Sequence, residues 1–233
     1  MRLEIKLLIF KMIKLSRSKI ELFLECPRCF WLDIHGVAKR PPGFPFTINN
    51  AIDYLLKKEF DEYRENDLEH HLIKKYNIDA KPYNCDELDK WRHNFTGIQF
   101  NHKESGFLVF GAVDDIWINK KGELIVVDYK ATGAKEHKIY DSYKRQMEVY
   151  QWLLSNNGHK VSKTGYFLFA KVNKEKGFGE GKLKFDLMLE VLEGDSSWVG
   201  EVIMEAKKCY DNAIIPAYSE GCDYCKFIKL GSK

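Results

Sequence analysis

The chain has 233 residues, of which 45% are hydrophobic, so it can bury one sizeable core. Its 37 basic and 34 acidic residues give a formal net charge of +3, which confines any polyanion site to a local patch. No Pro-, Gly- or Ser-rich linker divides the chain. We expect a single domain over residues 12–233, with residues 1–11 as an N-terminal extension.

The N-terminal stretch 1–15 is partly apolar, but its uninterrupted apolar run spans only residues 7–10 and has lysines close by. That run is too short for a secretory signal or a membrane span, so we expect a cytoplasmic protein. A helix is then predicted from an N-cap at Ser18 to about Leu32. The Pro-rich stretch 41–45 interrupts it, and a second helix is predicted over residues 47–64.

The rest of the chain alternates between strand and helix patterns, which predicts an α/β fold. Residues 65–93 are polar and give no clear assignment. Three strands are then expected to form a meander, followed by a helix, two more strands and a last helix before a short cysteine-bearing tail. These elements are predicted at residues 95–101, 107–118, 123–131, 136–154, 165–172, 184–192 and 195–212.

Two aspartates are brought together by the second and third of these strands. If the strands form a hairpin with a five-residue loop, Ile118 faces Leu124 and Asp114 lies opposite Asp128, whereas a register shifted by one residue brings Asp115 there. Directly opposed Cβ atoms are about 4.5–5.5 Å apart, and like charges at that distance destabilise a sheet. A divalent cation such as Mg²⁺, which prefers carboxylate oxygens, would compensate them.

Lys130 follows Asp128 by two residues and therefore points to the same side of its strand. Its ammonium can orient or activate a water near a bound metal. Asp-x-Lys alone is common at the solvent end of ordinary strands. The opposed second aspartate and the following helix, in which Gln146 and Tyr150 are one turn apart, make an active site the better interpretation.

This set of motifs resembles the PD-(D/E)XK nuclease superfamily, and within it the RecB-like branch that includes CRISPR-associated exonucleases. The elements that carry the resemblance are Gly111-x-x-Asp114, Asp128-Tyr129-Lys130 and Gln146-x-x-x-Tyr150. The resemblance implies a restriction-endonuclease-like core, in which helices flank a central mixed β-sheet. It also implies a Mg²⁺- or Mn²⁺-dependent DNA nuclease acting in DNA repair, recombination or CRISPR adaptation.

The resemblance further assigns roles to the matched residues. Asp114 and Asp128 would be metal ligands, Lys130 the catalytic lysine, and Gln146 and Tyr150 residues near the site or the DNA path.

One family element is missing. RecB-like members usually carry Gly-x-x-x-His in an early helix, where the histidine adds a metal ligand, but residues 47–54 contain no histidine. Asp53 or Glu59 is a candidate to replace it as an oxygen ligand, and either is equally consistent with an exposed helix position. The absence favours an alternative function, a non-catalytic nucleic-acid-binding module or interaction subunit on the same fold.

Two Cys-x-x-Cys pairs, Cys26/Cys29 and Cys222/Cys225, lie near opposite ends of the chain. Paired motifs of this kind indicate a tetrathiolate metal centre that joins the chain ends, since disulfides are disfavoured in a cytoplasmic protein. The pattern suits Zn²⁺. The family resemblance favours a [4Fe–4S] cluster, although that cluster is usually held by one upstream and three downstream cysteines rather than two and two.

Basic and aromatic side chains alternate near the proposed site. They are Lys130, Lys135, Lys138, Lys144 and Arg145, with Tyr140 and Tyr143 between them. Such a face can hold a phosphate backbone and stack bases, which would suit DNA that is single-stranded or has free ends, but a solvated helix face explains the same pattern equally well.

Overall fold

The structure is a computed structural model that describes residues 12–43, 47–136, 138–175 and 177–231. It contains eight β-strands and eight α-helices within these residues. The strands are β1 (Ile13–Ser16), β2 (Lys81–Pro82), β3 (Ile98–His102), β4 (Phe107–Gly111), β5 (Asp115–Ile118), β6 (Leu124–Thr132), β7 (Thr164–Val172) and β8 (Phe185–Glu193). The helices are α1 (Arg17–Glu25), α2 (Pro27–Ile34), α3 (Thr47–Glu65), α4 (His71–Lys75), α5 (Leu88–Arg92), α6 (Asp141–Asn156), α7 (Val199–Asp211) and α8 (Asp223–Gly231).

The strands form two mixed sheets flanked by helices, as the sequence predicts. In the smaller sheet, β4 lies between β1, which is parallel to it, and β3, which is antiparallel. The larger sheet has the order β2-β5-β6-β7-β8, with β6 and β7 parallel and the other neighbours antiparallel. The first six residues of β6 are buried, which agrees with its unbroken apolar approach to Asp128.

Strand β6 separates two apolar clusters because its side chains alternate between the two faces of the sheet. Val126 belongs to the cluster that includes Met147 of α6. Val127 belongs to the cluster that includes Leu56 and Phe60, which lie one turn apart on α3. Helix α6 therefore covers one face of β6 and α3 covers the other.

Several predicted boundaries are wrong in the N-terminal half. The cap of α1 is Ser16, whose hydroxyl accepts a hydrogen bond from the Lys19 N–H at 3.2 Å, and not Ser18. The predicted helix to Leu32 is two helices, because the chain is extended at Cys26 and Pro27 begins α2. Strand β1 escaped prediction, because four residues are too few for a clear period-two signal.

The predicted strand 107–118 is also divided in the structure. The chain leaves the smaller sheet after Gly111 and enters the larger one at Asp115, so a continuous meander is wrong. The hairpin register is confirmed, since Ile118 pairs with Leu124. The predicted helix from residue 136 begins at Asp141 instead.

At the C-terminal end, the helix predicted from residue 195 begins at Val199, and the expected tail contains α8. The proposed extension 1–11 lies outside the described residues. No helix within the described ranges is long and apolar enough to cross a membrane.

Candidate active site and cysteine centre

Asp114 and Asp128 are neighbours at the point where the chain passes between the two sheets. Asp128 is a buried residue of β6, and Asp114 directly precedes β5, where its Oδ2 accepts a hydrogen bond from the Tyr129 N–H at 2.9 Å. Burial raises the pKa of Asp128 to about 7, and the charge of Asp114 acts in the same direction, opposed by Lys130. The structure therefore brings together the two carboxylates that the hairpin predicts.

Asp128 is held from two sides. Its Oδ1 accepts a hydrogen bond from Gln146 Nε2 at 2.8 Å, and its Oδ2 lies 2.5 Å from Lys130 Nζ. The lysine contact is an ion pair with a carboxylate oxygen that is buried. Gln146 Nε2 also lies 3.1 Å from the hydroxyl of buried Tyr150, so both predicted α6 residues are at the site.

Helix α3 adds a third carboxylate and a lysine. Lys57 Nζ lies 2.7 Å from Asp53 Oδ2 and 3.2 Å from Asp114 Oδ1, so it bridges the helix and the carboxylate pair. Burial lowers the pKa of Lys57, but Asp114 and Asp53 raise it to a net value above the ordinary one. Lys57 was not predicted from the sequence as a residue of the site. Its spacing of four residues from Asp53, which puts both on one helical face, was the available signal.

Glu59, the other candidate on α3, points elsewhere. Its Oε1 lies 2.9 Å from Nε2 of buried His70, which precedes α4. The structure therefore brings Asp53, and not Glu59, to the carboxylate pair.

Asp115 belongs to a separate network on the α3 face of β6. It is buried, and its carboxylate accepts hydrogen bonds from Arg64, from Arg92 Nη2 at 2.9 Å and from the Tyr129 hydroxyl at 2.8 Å. Two guanidinium groups neutralise it, which satisfies a charge buried in the core. The register that would place Asp115 opposite Asp128 is therefore wrong.

The residues present fit a hard divalent cation. Asp114, Asp128 and Asp53 supply oxygen atoms of the kind that Mg²⁺ and Mn²⁺ prefer. The buried Asp128 Oδ2 is contacted by the Lys130 ammonium at 2.5 Å, and Asp114 Oδ1 by the Lys57 ammonium at 3.2 Å. Two adjacent carboxylates that attract cations in this way form a cradle that fits a metal ion.

Gly111, in the first of the three family motifs, lies close to Tyr150, in the last of them. A Cβ atom added to Gly111 would lie 2.6 Å from Cε1 of Tyr150, closer than real Cβ contacts allow. Glycine at this position therefore lets the Tyr150 ring pack against the end of β4. The contact explains in packing terms why Gly111 and Tyr150 occur together.

The predicted basic face is partly occupied by internal contacts. Arg145 makes two hydrogen bonds to Glu21, at 3.0 and 2.6 Å, and Lys144 lies 3.4 Å from Asp141. Lys130 lies over the Tyr143 ring at 4.4 Å, which directs its ammonium to the active site. Of the remaining cations, Lys138 lies 5.8 Å from the centre of the exposed Tyr140 ring, so an aromatic and basic surface persists there.

The four predicted cysteines form one buried cluster between α1, α2 and α8. The Sγ atoms are 3.9 Å apart for Cys26 and Cys225, 3.6 Å for Cys29 and Cys222, and 3.6 Å for Cys29 and Cys225. A tetrahedral ion with Zn–S bonds of about 2.3 Å requires sulfur atoms about 3.8 Å apart. Cys85 and Cys209 lie outside the cluster.

The surroundings of the cluster act differently on its thiols, since burial raises the pKa of Cys29 and of Cys225. Burial raises the pKa of the Cys26 thiol, but hydrogen bonds from the backbone at Cys29 and Ser219 bring it down to about 7. Arg40 donates from Nη2 to Cys222 Sγ at 3.5 Å and lies over the Tyr224 ring at 4.8 Å. A cationic donor next to the sulfurs stabilises the negative charge of a thiolate centre.

Comparisons with known proteins identify the family. The family model described as the PD-(D/E)XK nuclease superfamily matches residues 34–230 of the 233-residue chain. Similar solved structures include SSO0001, with 14% identity, a TM-score of 0.40 and coverage of 96% of this chain and 86% of that one. Another is a "putative exonuclease" of Eubacterium rectale, with 14% identity, a TM-score of 0.41 and coverage of 93% and 88%. No curated protein matches.

We expect Asp114→Asn to flatten the pH dependence of stability of the metal-free protein. The folded-state pKa of Asp128 is raised from 3.8 to about 7. Between these two pH values the native state binds a proton that the unfolded state has lost, so the free energy of unfolding falls as the pH rises through this range. Removing the charge of Asp114 lowers that pKa and weakens the fall. Thermal unfolding from pH 4 to pH 8 measures the effect, and Asp79→Asn, at an exposed ion pair with Lys120, is the control.

The same variant tests the metal cradle. Mn²⁺ should raise the melting temperature of the wild type and of Asp79→Asn, because it binds the native state, and should no longer do so in Asp114→Asn. Equal stabilisation of all three proteins by Mn²⁺ would remove Asp114 from the metal site.

Gly111→Ala should destabilise the protein by about 1–3 kcal/mol, because the new methyl group overlaps the Tyr150 ring. Gly133→Ala is the matched control, since a Cβ there meets nothing within 4 Å and the backbone is not left-handed. Urea unfolding of both variants gives the comparison. Addition of Tyr150→Ala to Gly111→Ala should relieve the overlap, so strictly additive losses would contradict the packing explanation.

Proposed function

The chain belongs to the PD-(D/E)XK nuclease superfamily, and from this premise we propose that it is a Mg²⁺- or Mn²⁺-dependent deoxyribonuclease of the RecB-like branch. The observation that carries the proposal is the geometry of Asp114, Asp128 and Lys130. Two carboxylates meet at the end of a buried strand, and the lysine ammonium lies 2.5 Å from Asp128 Oδ2. These are the residue types and the arrangement that metal-assisted phosphodiester hydrolysis requires.

In the proposed mechanism, Asp114 and Asp128 would hold a divalent cation, which would lower the pKa of a bound water and stabilise charge on the phosphate. Gln146 fixes the Asp128 carboxylate through its hydrogen bond to Oδ1, and Lys130 contacts the other oxygen, Oδ2. Lys130 Nζ, held over the Tyr143 ring, positions or deprotonates the water that attacks phosphorus in line with the leaving oxygen. The Tyr150 hydroxyl accepts a hydrogen bond from Gln146 Nε2 and so helps to orient the amide.

The substrate that we propose is DNA that is single-stranded or has free ends. The exposed Tyr140 ring and Lys138 offer base stacking and phosphate contact close to the start of α6. Recognition of strand form or ends would make the protein an exonuclease in DNA repair, recombination or CRISPR adaptation. A cytoplasmic location is part of this proposal, because a reducing compartment keeps the four cysteines available for a metal.

A second candidate function is non-catalytic nucleic-acid binding, alone or as a subunit of a larger assembly. The observation that favours it is on α3, which presents Asp53 and Lys57 to the site and no histidine. A lysine ion-paired to Asp114 competes with a metal ion. A DNA cleavage assay separates the two functions, because a binding module would retain DNA without cutting it.

For the cysteine centre we propose a single structural Zn²⁺ ion. Three of the six sulfur separations are 3.6–3.9 Å, and all four sulfurs lie within 4.8 Å of one another, which supports one tetrahedral ion. A cuboidal [4Fe–4S] cluster would hold its cysteine sulfurs farther apart. The centre would hold α8 against α1 and α2 and would take no part in hydrolysis.

The purified protein should cut DNA only when Mg²⁺ or Mn²⁺ is added, and Lys130→Ala should lower the rate by about 10²–10⁴-fold, as expected for loss of a general acid or base. Lys163→Ala, at an exposed position of the described chain, is the control and should cut normally. Single- and double-stranded oligonucleotides, each with free or blocked ends, give the substrate form. A fully active Lys130→Ala protein would exclude this lysine from catalysis.

Mn²⁺ should still raise the melting temperature of Lys130→Ala, because both carboxylates remain. This result separates a catalytic defect from loss of the metal. Loss of both cleavage and stabilisation would instead give Lys130 a structural role at the site.

Metal analysis should find one zinc per chain, and serine at Cys26, Cys29, Cys222 or Cys225 should release it and lower the melting temperature. Cys209→Ser is the control, because its sulfur lies outside the cluster. A brown colour after anaerobic purification would indicate an iron–sulfur cluster instead of zinc. A stable colourless protein with neither metal would contradict the centre altogether.

A further inference from the structure

We propose that Lys57 is a resident cation of the metal-free active site, which leaves Asp114 when the divalent ion binds and thereby weakens binding of that ion. The inference rests on the proposed function in taking Asp114 as a metal ligand. It goes beyond that function by assigning to α3 a control over metal affinity.

The contacts of Asp114 show which partner has to move. Its Oδ2 accepts a hydrogen bond from the Tyr129 N–H at 2.9 Å, and its Oδ1 lies 3.2 Å from Lys57 Nζ. The Tyr129 N–H belongs to the backbone of central strand β6 and is fixed by its sheet pairing. Lys57 Nζ is the end of a flexible side chain, so a cation that takes Asp114 Oδ1 displaces the lysine.

The charges around the pair explain why a resident cation is needed. Asp53, Asp114 and Asp128 contribute three carboxylates within one partly buried site, and Lys57 and Lys130 are the two ammonium groups in contact with them. Each lysine contacts a different member of the Asp114 and Asp128 pair. Without Lys57, no cation among the described residues contacts the Asp114 carboxylate.

Asp53 provides an anchor for the displaced ammonium. Its Oδ2 lies 2.7 Å from Lys57 Nζ, and the two residues share one face of α3 with the i,i+4 spacing that suits an ion pair. Lys57 therefore keeps a partner after it leaves Asp114, which lowers the cost of the exchange. In this arrangement Asp53 acts on the metal site through Lys57.

The alternative is an ordinary ion pair that stays in place when the metal binds. Both arrangements stabilise the metal-free protein, but they differ in what happens to the Lys57 amine. Displacement moves a side chain that is 20% exposed away from one of its two carboxylates, whereas a static ion pair leaves its accessibility unchanged.

The first experiment compares Mn²⁺ affinity in wild type, Lys57→Met and Lys58→Met by isothermal titration calorimetry, with the cysteine centre loaded. Lys57→Met keeps the length of the side chain and removes the charge, so the dissociation constant should fall about ten- to a hundredfold, as expected for a nearby unit charge. Lys58 is the adjacent exposed residue of the same helix, and its variant should bind Mn²⁺ as the wild type does. Equal or weaker binding by Lys57→Met would overturn the inference.

The second experiment uses only the wild type and needs no folded variant. Lysines are labelled with an amine-reactive acetylating reagent at increasing Mn²⁺ concentration, and labelling of each residue is read by mass spectrometry. Labelling of Lys57 should rise and saturate with the Mn²⁺ binding curve, while labelling of Lys58 stays constant. Constant labelling of Lys57 in protein that binds Mn²⁺ would show a static ion pair and refute displacement.

The two experiments also distinguish failure of this inference from failure of the proposed function. Suppose that Mn²⁺ binds the wild type, but Lys57→Met does not change the affinity and Mn²⁺ does not change the labelling of Lys57. The proposed metal site is then supported, and the proposed displacement of Lys57 is wrong. If Mn²⁺ binds neither the wild type nor Lys57→Met, the proposed metal site is itself wrong, and the inference falls with it.

Discussion

The repulsion between the Asp114 and Asp128 carboxylates is the interaction on which the rest of the candidate site depends. Two like charges beside a buried strand oppose folding. Burial raises the pKa of Asp128, and the charge of Asp114 adds to that rise. Neighbouring groups are arranged to limit it, since Lys130 and Gln146 hold one carboxylate and Lys57 and the Tyr129 N–H hold the other. A protein that keeps such a pair beside a buried strand accepts lower stability at this position.

The alternation of side chains along β6 determines which residues of the site lie on each face of the sheet. Asp128 and Lys130 point to the face covered by α6, where Gln146 and Tyr150 meet them. Tyr129 points to the α3 face, where its hydroxyl binds Asp115 within an arginine-rich network. The two faces of β6 therefore border different charges, Asp128 of β6 itself on one face and the neutralised Asp115 of β5 on the other. This arrangement keeps Asp114 and the buried Asp115, which are adjacent in sequence, in separate networks.

The sequence predicts those features that depend on local periodicity and short spacing. The hairpin register, helix α3, the strands around the site and the meeting of the two cysteine pairs all follow from such patterns. It does not predict the passage of the chain from one sheet to the other after Gly111, because a break of three residues inside an apolar run leaves no local mark. Lys57 and Asp114 are 57 residues apart in sequence, and their contact depends on how α3 packs. The i,i+4 spacing of Asp53 and Lys57 indicates a shared helical face but not that this face meets Asp114.

The cysteine cluster has a consequence for the order in which the molecule forms during synthesis. Its paired sulfurs are 193–199 residues apart in the chain, so a ribosome must complete α8 before the centre can close. The sheets and α6 will by then have left the ribosome and had time to fold, since domains generally fold as units in the order of synthesis. Closing of the four-cysteine cluster thus follows the synthesis of α8, and until then Cys26 and Cys29 of the nascent chain lack the two thiols that they meet in the folded protein.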